Sequence, residues 1–147
     1  MAGSMRIKRT IVWTAVVAGF VTTLYVGWYV YFLDAVVLPN AYSQDWVSAM
    51  IIDYMKAHDD AWPRGWDDLR DPYEEPAKAQ NYPWSFEELQ SRVAVDWKAR
   101  PEILRKMKPE DGRPPFCVIW LRDGRNDYYE GDDPNLRILR YLTGRSE

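Results

Sequence analysis

Histidine and cysteine each occur once, at His58 and Cys117, and this narrows the chemistry open to the chain. A lone imidazole cannot build a histidine-rich metal site, and a catalytic triad would need a nucleophile and an orienting acid beside it. His58 ends an amphipathic run, where a histidine suits the C-terminal dipole of a helix. Cys117 lies in the apolar run Phe116-Cys117-Val118-Ile119, where cysteine behaves as a small hydrophobe, and a single cysteine rules out an intrachain disulfide. The acidic pairs Asp59-Asp60, Asp67-Asp68 and Asp132-Asp133 are the remaining titratable clusters. Calcium needs about six to eight converging oxygens, and no segment carries the EF-hand order. The pairs are better placed to start or end helices and to keep the domain soluble. There is no glycine-rich phosphate loop, no CxxC pair, no haem-attachment motif and no serine in a nucleophile elbow. The expectation is therefore a protein with no catalytic residue, no cofactor and no metal.

Tryptophan is the unusual component, with eight in 147 residues. Trp46, Trp97 and Trp120 fall on the apolar faces of predicted elements and are assigned to the core. Trp62, Trp66 and Trp84 lie near loops and prolines. Rings in such places serve glycan, peptide or protein recognition, so these three form a candidate interaction surface.

The elements that must carry these residues begin with an anchor. Residues 11–33 contain no charge; a helix of that length rises about 35 Å, enough to cross a hydrocarbon core of about 30 Å with some tilt. Arg6, Lys8 and Arg9 precede it, and every acidic residue follows it. The positive-inside rule then puts residues 1–10 in the cytoplasm and the rest outside, as in a single-pass protein of a bacterial inner membrane. Trp13 lies near one end of the span and Trp28, Tyr29 and Tyr31 near the other, where amphipathic rings favour the interface. A cleaved signal peptide, with Ala41-Tyr42-Ser43 as the small-residue site, is the competing reading; the apolar run is long for one and ends well before that site. Residues 1–4 precede a second methionine, Met5, and read equally as a native start or an added tag. The acidic balance beyond the anchor speaks against nucleic acid and against electrostatic docking on anionic lipid. Ala15, Gly19, Thr23 and Gly27 recur every fourth residue, so they wind slowly around the helix as one shallow groove. Grooves of this kind let a second helix approach closely in lipid. The expected partners are thus the bilayer and other membrane subunits.

Beyond a short juxtamembrane linker at residues 34–41, where Pro39 marks a kink or a fresh helix start, residues 42–147 form one small domain. Trp46, Val47, Met50, Ile51, Tyr54 and Met55 make one side of an amphipathic helix over residues 42–58, with Gln44, Asp45, Asp53 and Lys56 on the other. Pro63 and Gly65 break it, and residues 66–69 suit a single helical turn. Residues 71–83, with three prolines, read as an irregular loop. Ser85 and Glu88 spell a capping box. Residues 92–97 alternate as a strand, with Val93, Val95 and Trp97 sharing a face, and proline opens a short helix over residues 101–107. Residues 116–121 have strand character, and Asp123-Gly124 suits a hairpin leading into residues 125–130. Asp133 and Pro134 start a last helix that Gly144 ends, with Leu136, Ile138, Leu139 and Leu142 as its apolar stripe.

A membrane helix, an amphipathic continuation ending in Tyr54-Met55-Lys56-Ala57-His58, the turn Trp62-Pro63-Arg64-Gly65-Trp66-Asp67-Asp68-Leu69 and then a small sheet resemble the layout of type IV pilin-like proteins and type II secretion pseudopilins. The resemblance covers residues 11–70. It implies an exported domain on a membrane helix, without the processing step. Gly19-Phe20-Val21-Thr22 echoes the prepilin site, but no basic residue immediately precedes Gly19, and Leu24 stands where that family has a glutamate.

The fold class expected is α+β: one N-terminal transmembrane helix, then an amphipathic helix packed on an antiparallel sheet of about three strands, with a C-terminal helix. The function expected is that of a non-enzymatic, membrane-anchored accessory subunit of a respiratory, photosynthetic or secretion complex. A tethered binding module for glycan, peptide or protein that uses Trp62, Trp66 and Trp84 is one alternative, and a non-processed pseudopilin-like protein is another.

Overall fold

The computed structural model describes residues 2–80, 84–109, 112–125 and 133–144. It comprises two units, residues 1–37 and residues 38–147. The first holds α1 (Ala2–Phe32) and a π-helical turn (Leu33–Val37). Pro39, which has no amide hydrogen to give to a helix, stands two residues after this turn.

The second unit is built on α2 (Leu38–Ala57), which packs against every larger element of the domain. The remaining order is a 3₁₀ turn (Trp66–Leu69), α3 (Arg70–Gln80), α4 (Phe86–Arg92), β1 (Val93–Val95), α5 (Pro101–Leu104), β2 (Ile119–Leu121) and α6 (Pro134–Thr143). Val47, Ile51 and Met55 are sealed from solvent along α2 and meet Leu69, Leu89, Val93, Ile119, Leu121 and Ile138 in one core. Burying each aliphatic side chain of this size contributes roughly 1.5–3 kcal/mol. Polar residues are enclosed too. Ser43 and Ser48 donate to the carbonyls of Pro39 (2.6 Å) and Asp45 (2.7 Å), so neither hydroxyl is left unsatisfied. Gln44, placed on the polar side by the sequence pattern, is buried, because α2 is covered on more than one side.

Local signals fix most element ends. Ser85 accepts from the Glu88 amide (3.2 Å), and the Glu88 carboxylate accepts from the Ser85 amide (2.7 Å), completing the expected capping box. Asp133 caps α6 at the Asn135 amide (2.8 Å), Pro134 takes the first turn, and Gly144, at φ 67°, closes the helix in the left-handed region. Residues 70–80 depart from expectation: they form a helix, not a loop. Pro72 stands in its first turn, where no intrahelical donor is required, so only Pro76 removes a bond from the helix. Tyr73 then ties α3 down, its hydroxyl donating to the Trp84 carbonyl (2.9 Å) and its ring lying 5.2 Å from that of Phe86.

Among the described residues the sheet has two antiparallel strands, β1 and β2, in the register Val93↔Leu121, Ala94↔Trp120, Val95↔Ile119. Residues 126–130 of the expected hairpin lie outside the described residues. The strand phase differs from expectation. Ile119 and Leu121 point inward, and Trp120 is 39 % exposed, so it is not a core residue. Pairing is the reason: one face of a two-stranded ribbon meets α2, and the register gives that face to Ile119 and Leu121. Trp46 and Trp97, the other two rings assigned to the core, are half-buried and pack against its edge. Trp120→Ala is accordingly expected to cost about 1 kcal/mol or less in urea melts of the detergent-solubilised protein. A loss near 3 kcal/mol would place the ring in the core after all.

The second strand's outer edge is completed by a side chain. Asn135, 2 % exposed, accepts from the amides of Val118 (2.7 Å) and Ile119 (2.9 Å) and donates to the Ile119 carbonyl (3.0 Å). Its amide thus takes the place that a neighbouring strand's backbone would fill.

Asp60 joins three elements. Tyr141 of α6 donates to one carboxylate oxygen and Arg105, just beyond α5, to the other, each at 2.7 Å. Asp60 and its neighbour Asp59 both have positive φ, the left-handed geometry that ends the α2 segment. The Tyr141 and Arg105 hydrogen bonds hold the Asp60 carboxyl below its usual range. Burial, then the hydrogen bond to Asp60, pushes the Tyr141 hydroxyl up to about 12. A phenol whose folded pKa is raised contributes stability that is complete below its unfolded value of about 10 and lost as pH climbs toward the folded value. The melting temperature is expected to fall between about pH 10 and 12, and Tyr141→Phe to flatten that fall. An identical alkaline slope in the variant would show that Tyr141 does not carry it.

Candidate functional site

Two regions could carry function, one in each unit. The first is α1. Its residues from Val12 to Tyr31 are apolar on every side: Val12, Phe20, Val21, Tyr25 and Val26 point in different directions around the helix, and all are more than half exposed. Among the described residues, one N-terminal helix is long and apolar enough to cross a membrane. Its hydroxyls are satisfied within the helix, Thr22 donating to the Ala18 carbonyl (2.9 Å) and Thr23 to that of Gly19 (3.0 Å). The aromatic end is organised by i,i+4 stacking, Tyr25 on Tyr29 at 6.4 Å and Trp28 on Phe32 at 5.7 Å.

Ala15, Gly19, Thr23 and Gly27 share this helix at the spacing the sequence indicates, and a Cβ added at Gly19 or Gly27 would meet nothing within 4 Å. A recess along the adjacent column is lined by Trp13, Thr14, Val17, Ala18, Val21 and Thr22. That column went unnoticed in the sequence although Thr14, Ala18 and Thr22 repeat at the same four-residue interval. Small side chains thus occupy two neighbouring columns and not one.

The second region is an open acidic cleft of about 850 Å³ at the C-terminal end of α2, with Asp53, Tyr54, His58, Arg64, Asp67, Asp68 and Asp71 in its walls. Pro63 and Gly65 turn the chain there so that the Asp68 carboxylate accepts from the Arg64 amide (2.8 Å) and from its guanidinium (3.4 Å). Those contacts, the amide first, hold the Asp68 carboxyl below its ordinary range. Burial, then the Asp68 charge, raises the Tyr54 hydroxyl. The His58 ring stacks on Tyr54 at 4.0 Å, with Nδ1 2.8 Å from the Tyr54 carbonyl. This arrangement ends a helix and braces the turn after it. The carboxylate is held as an anion by hydrogen bonds, the phenol is harder to ionise than usual, and the histidine serves the helix terminus. Among the described residues no three His, Cys, Asp or Glu side chains gather as a metal site would require. Cys117 is exposed, its Sγ 3.6 Å from the Ile119 carbonyl. Desolvation, then the Asp133 charge, raises its pKa, which keeps the thiol protonated and weakly nucleophilic.

The three tryptophans singled out as an interaction surface occupy different settings. Trp62 is buried, its indole N–H donating to the Asp96 carbonyl (2.9 Å). Trp66 is half-buried, edge-on to Phe86 at 5.8 Å and to Trp97 at 5.5 Å. Trp84 is also half-buried, against Trp46 at 5.1 Å and Tyr42 at 6.0 Å. All three pack on the core, so each ring has a structural role that its position beside a proline or loop did not reveal. Among the described residues of the domain, the larger exposed apolar side chains are instead Leu38, Ile103 and Trp120, none of which the sequence reading places on an interaction surface. Comparison of the chain with protein-family models, curated proteins and solved structures finds no match.

Proposed function

We propose that this chain is a single-pass, non-enzymatic membrane protein and an accessory subunit of a larger membrane assembly of respiratory, photosynthetic or secretion type. The observation that carries the reading is α1, a helix whose apolar side chains are exposed on every side. Such a helix is unfavourable in water and suited to lipid or to other helices. The second unit supports the assignment because it closes its own core through α2. Arg6, Lys8 and Arg9 before the span favour a cytoplasmic N-terminus and a domain on the outer side of a bacterial inner membrane. The resemblance of this layout to that of pilin-like proteins, in which the membrane helix leads to a turn such as Trp62-Pro63, fits the same setting without processing.

In this reading the two small-residue columns are where a partner helix lies closest. Replacing Gly19 or Gly27 by leucine keeps the span apolar, so membrane content should stay unchanged. Leucine fills the groove, however, and a closely packed helix would be displaced. On native gels of gently solubilised membranes, the parent protein should migrate within a larger species and the glycine variants should be released from it. Val12→Leu and Val16→Leu, which lie in neither column, should remain bound. A parent protein that migrates alone from its native membrane would overturn the subunit assignment. Glycine variants bound as firmly as the valine controls would remove the groove from it.

A further inference from the structure

We draw no further inference here: the strongest candidate, the open acidic cleft between the C-terminal end of α2 and the first turn of α3, is a cluster of carboxylates for which no second observation in the described residues points to a ligand.

Discussion

Replacing Asn135 by alanine is expected to cost the domain about 3–5 kcal/mol, more than most single truncations in its core, because three backbone groups lose their partner together. Two of them are the Val118 and Ile119 amides that its Oδ1 accepts, and the third is the Ile119 carbonyl to which its Nδ2 donates. Each buried group left unpaired costs roughly 1–3 kcal/mol, and partial entry of water into the vacated space limits the sum. Set against a typical total stability of about 5–15 kcal/mol, the variant should sit near the edge of folding. Urea melts of the detergent-solubilised protein measure the effect. Asn135→Asp is the informative companion. It keeps the acceptor for both amides but turns a second carboxylate oxygen toward the Ile119 carbonyl, so the folded state favours the protonated acid. Its melting temperature should therefore rise relative to the parent as pH falls toward the carboxylate range. A loss below about 1 kcal/mol for Asn135→Ala would mean that the side chain is not the partner of that strand edge.

The second large effect concerns the span. Phe20→Arg together with Leu24→Arg should abolish stable insertion, since arginine near the centre of a membrane helix costs about 2.5–3.5 kcal/mol on the insertion scale. The two changes together approach about 5–7 kcal/mol, a shift of more than a thousandfold in the insertion equilibrium. The domain makes its core from residues beyond position 38, so the variant should still fold but leave the membrane pellet after alkaline washing. Retention in the washed pellet, at parental levels, would refute α1 as the anchor. Phe20→Leu with Leu24→Ile leaves hydrophobicity nearly unchanged and should behave as the parent does.

Features set by neighbouring residues were readable from the chain. The Ser85–Glu88 capping box, the Asp133 cap, Pro101 and Pro134 in first turns and the Gly144 terminus each depend on a few adjacent positions, and all are present. The core stripe of α2 was likewise visible, as Val47, Met50, Ile51, Tyr54 and Met55 repeat at helical spacing. Features settled by distant pairing were not. The run Phe116–Leu121 is apolar throughout and carries no alternation, so only the register with β1 decides that Trp120 faces out. Asn135 reads as a polar residue in the first turn of a helix; its burial depends on a strand sixteen positions earlier. Residues 70–80 were misread because proline was counted as a breaker without regard to its place in a first turn. The alignment of Ala15, Gly19, Thr23 and Gly27 could be read from spacing alone, since a single helix fixes it. The packing of Trp62, Trp66 and Trp84 on the core could not, because each rests on partners from other elements.

The central place of α2 has a consequence for the order in which the chain is made. This helix is the first part of the domain to leave the ribosome, and α6, its partner, is the last. Arg137 reaches back to Asp45 across 92 positions. During synthesis Val47, Ile51 and Met55 therefore stay only partly covered until α6 has emerged. Contacts of such separation form slowly, and a half-made chain of this kind offers an adhesive surface to its neighbours. A holding chaperone that acts until Ile138 and Leu142 arrive to close the core would be the best protection for such a nascent chain.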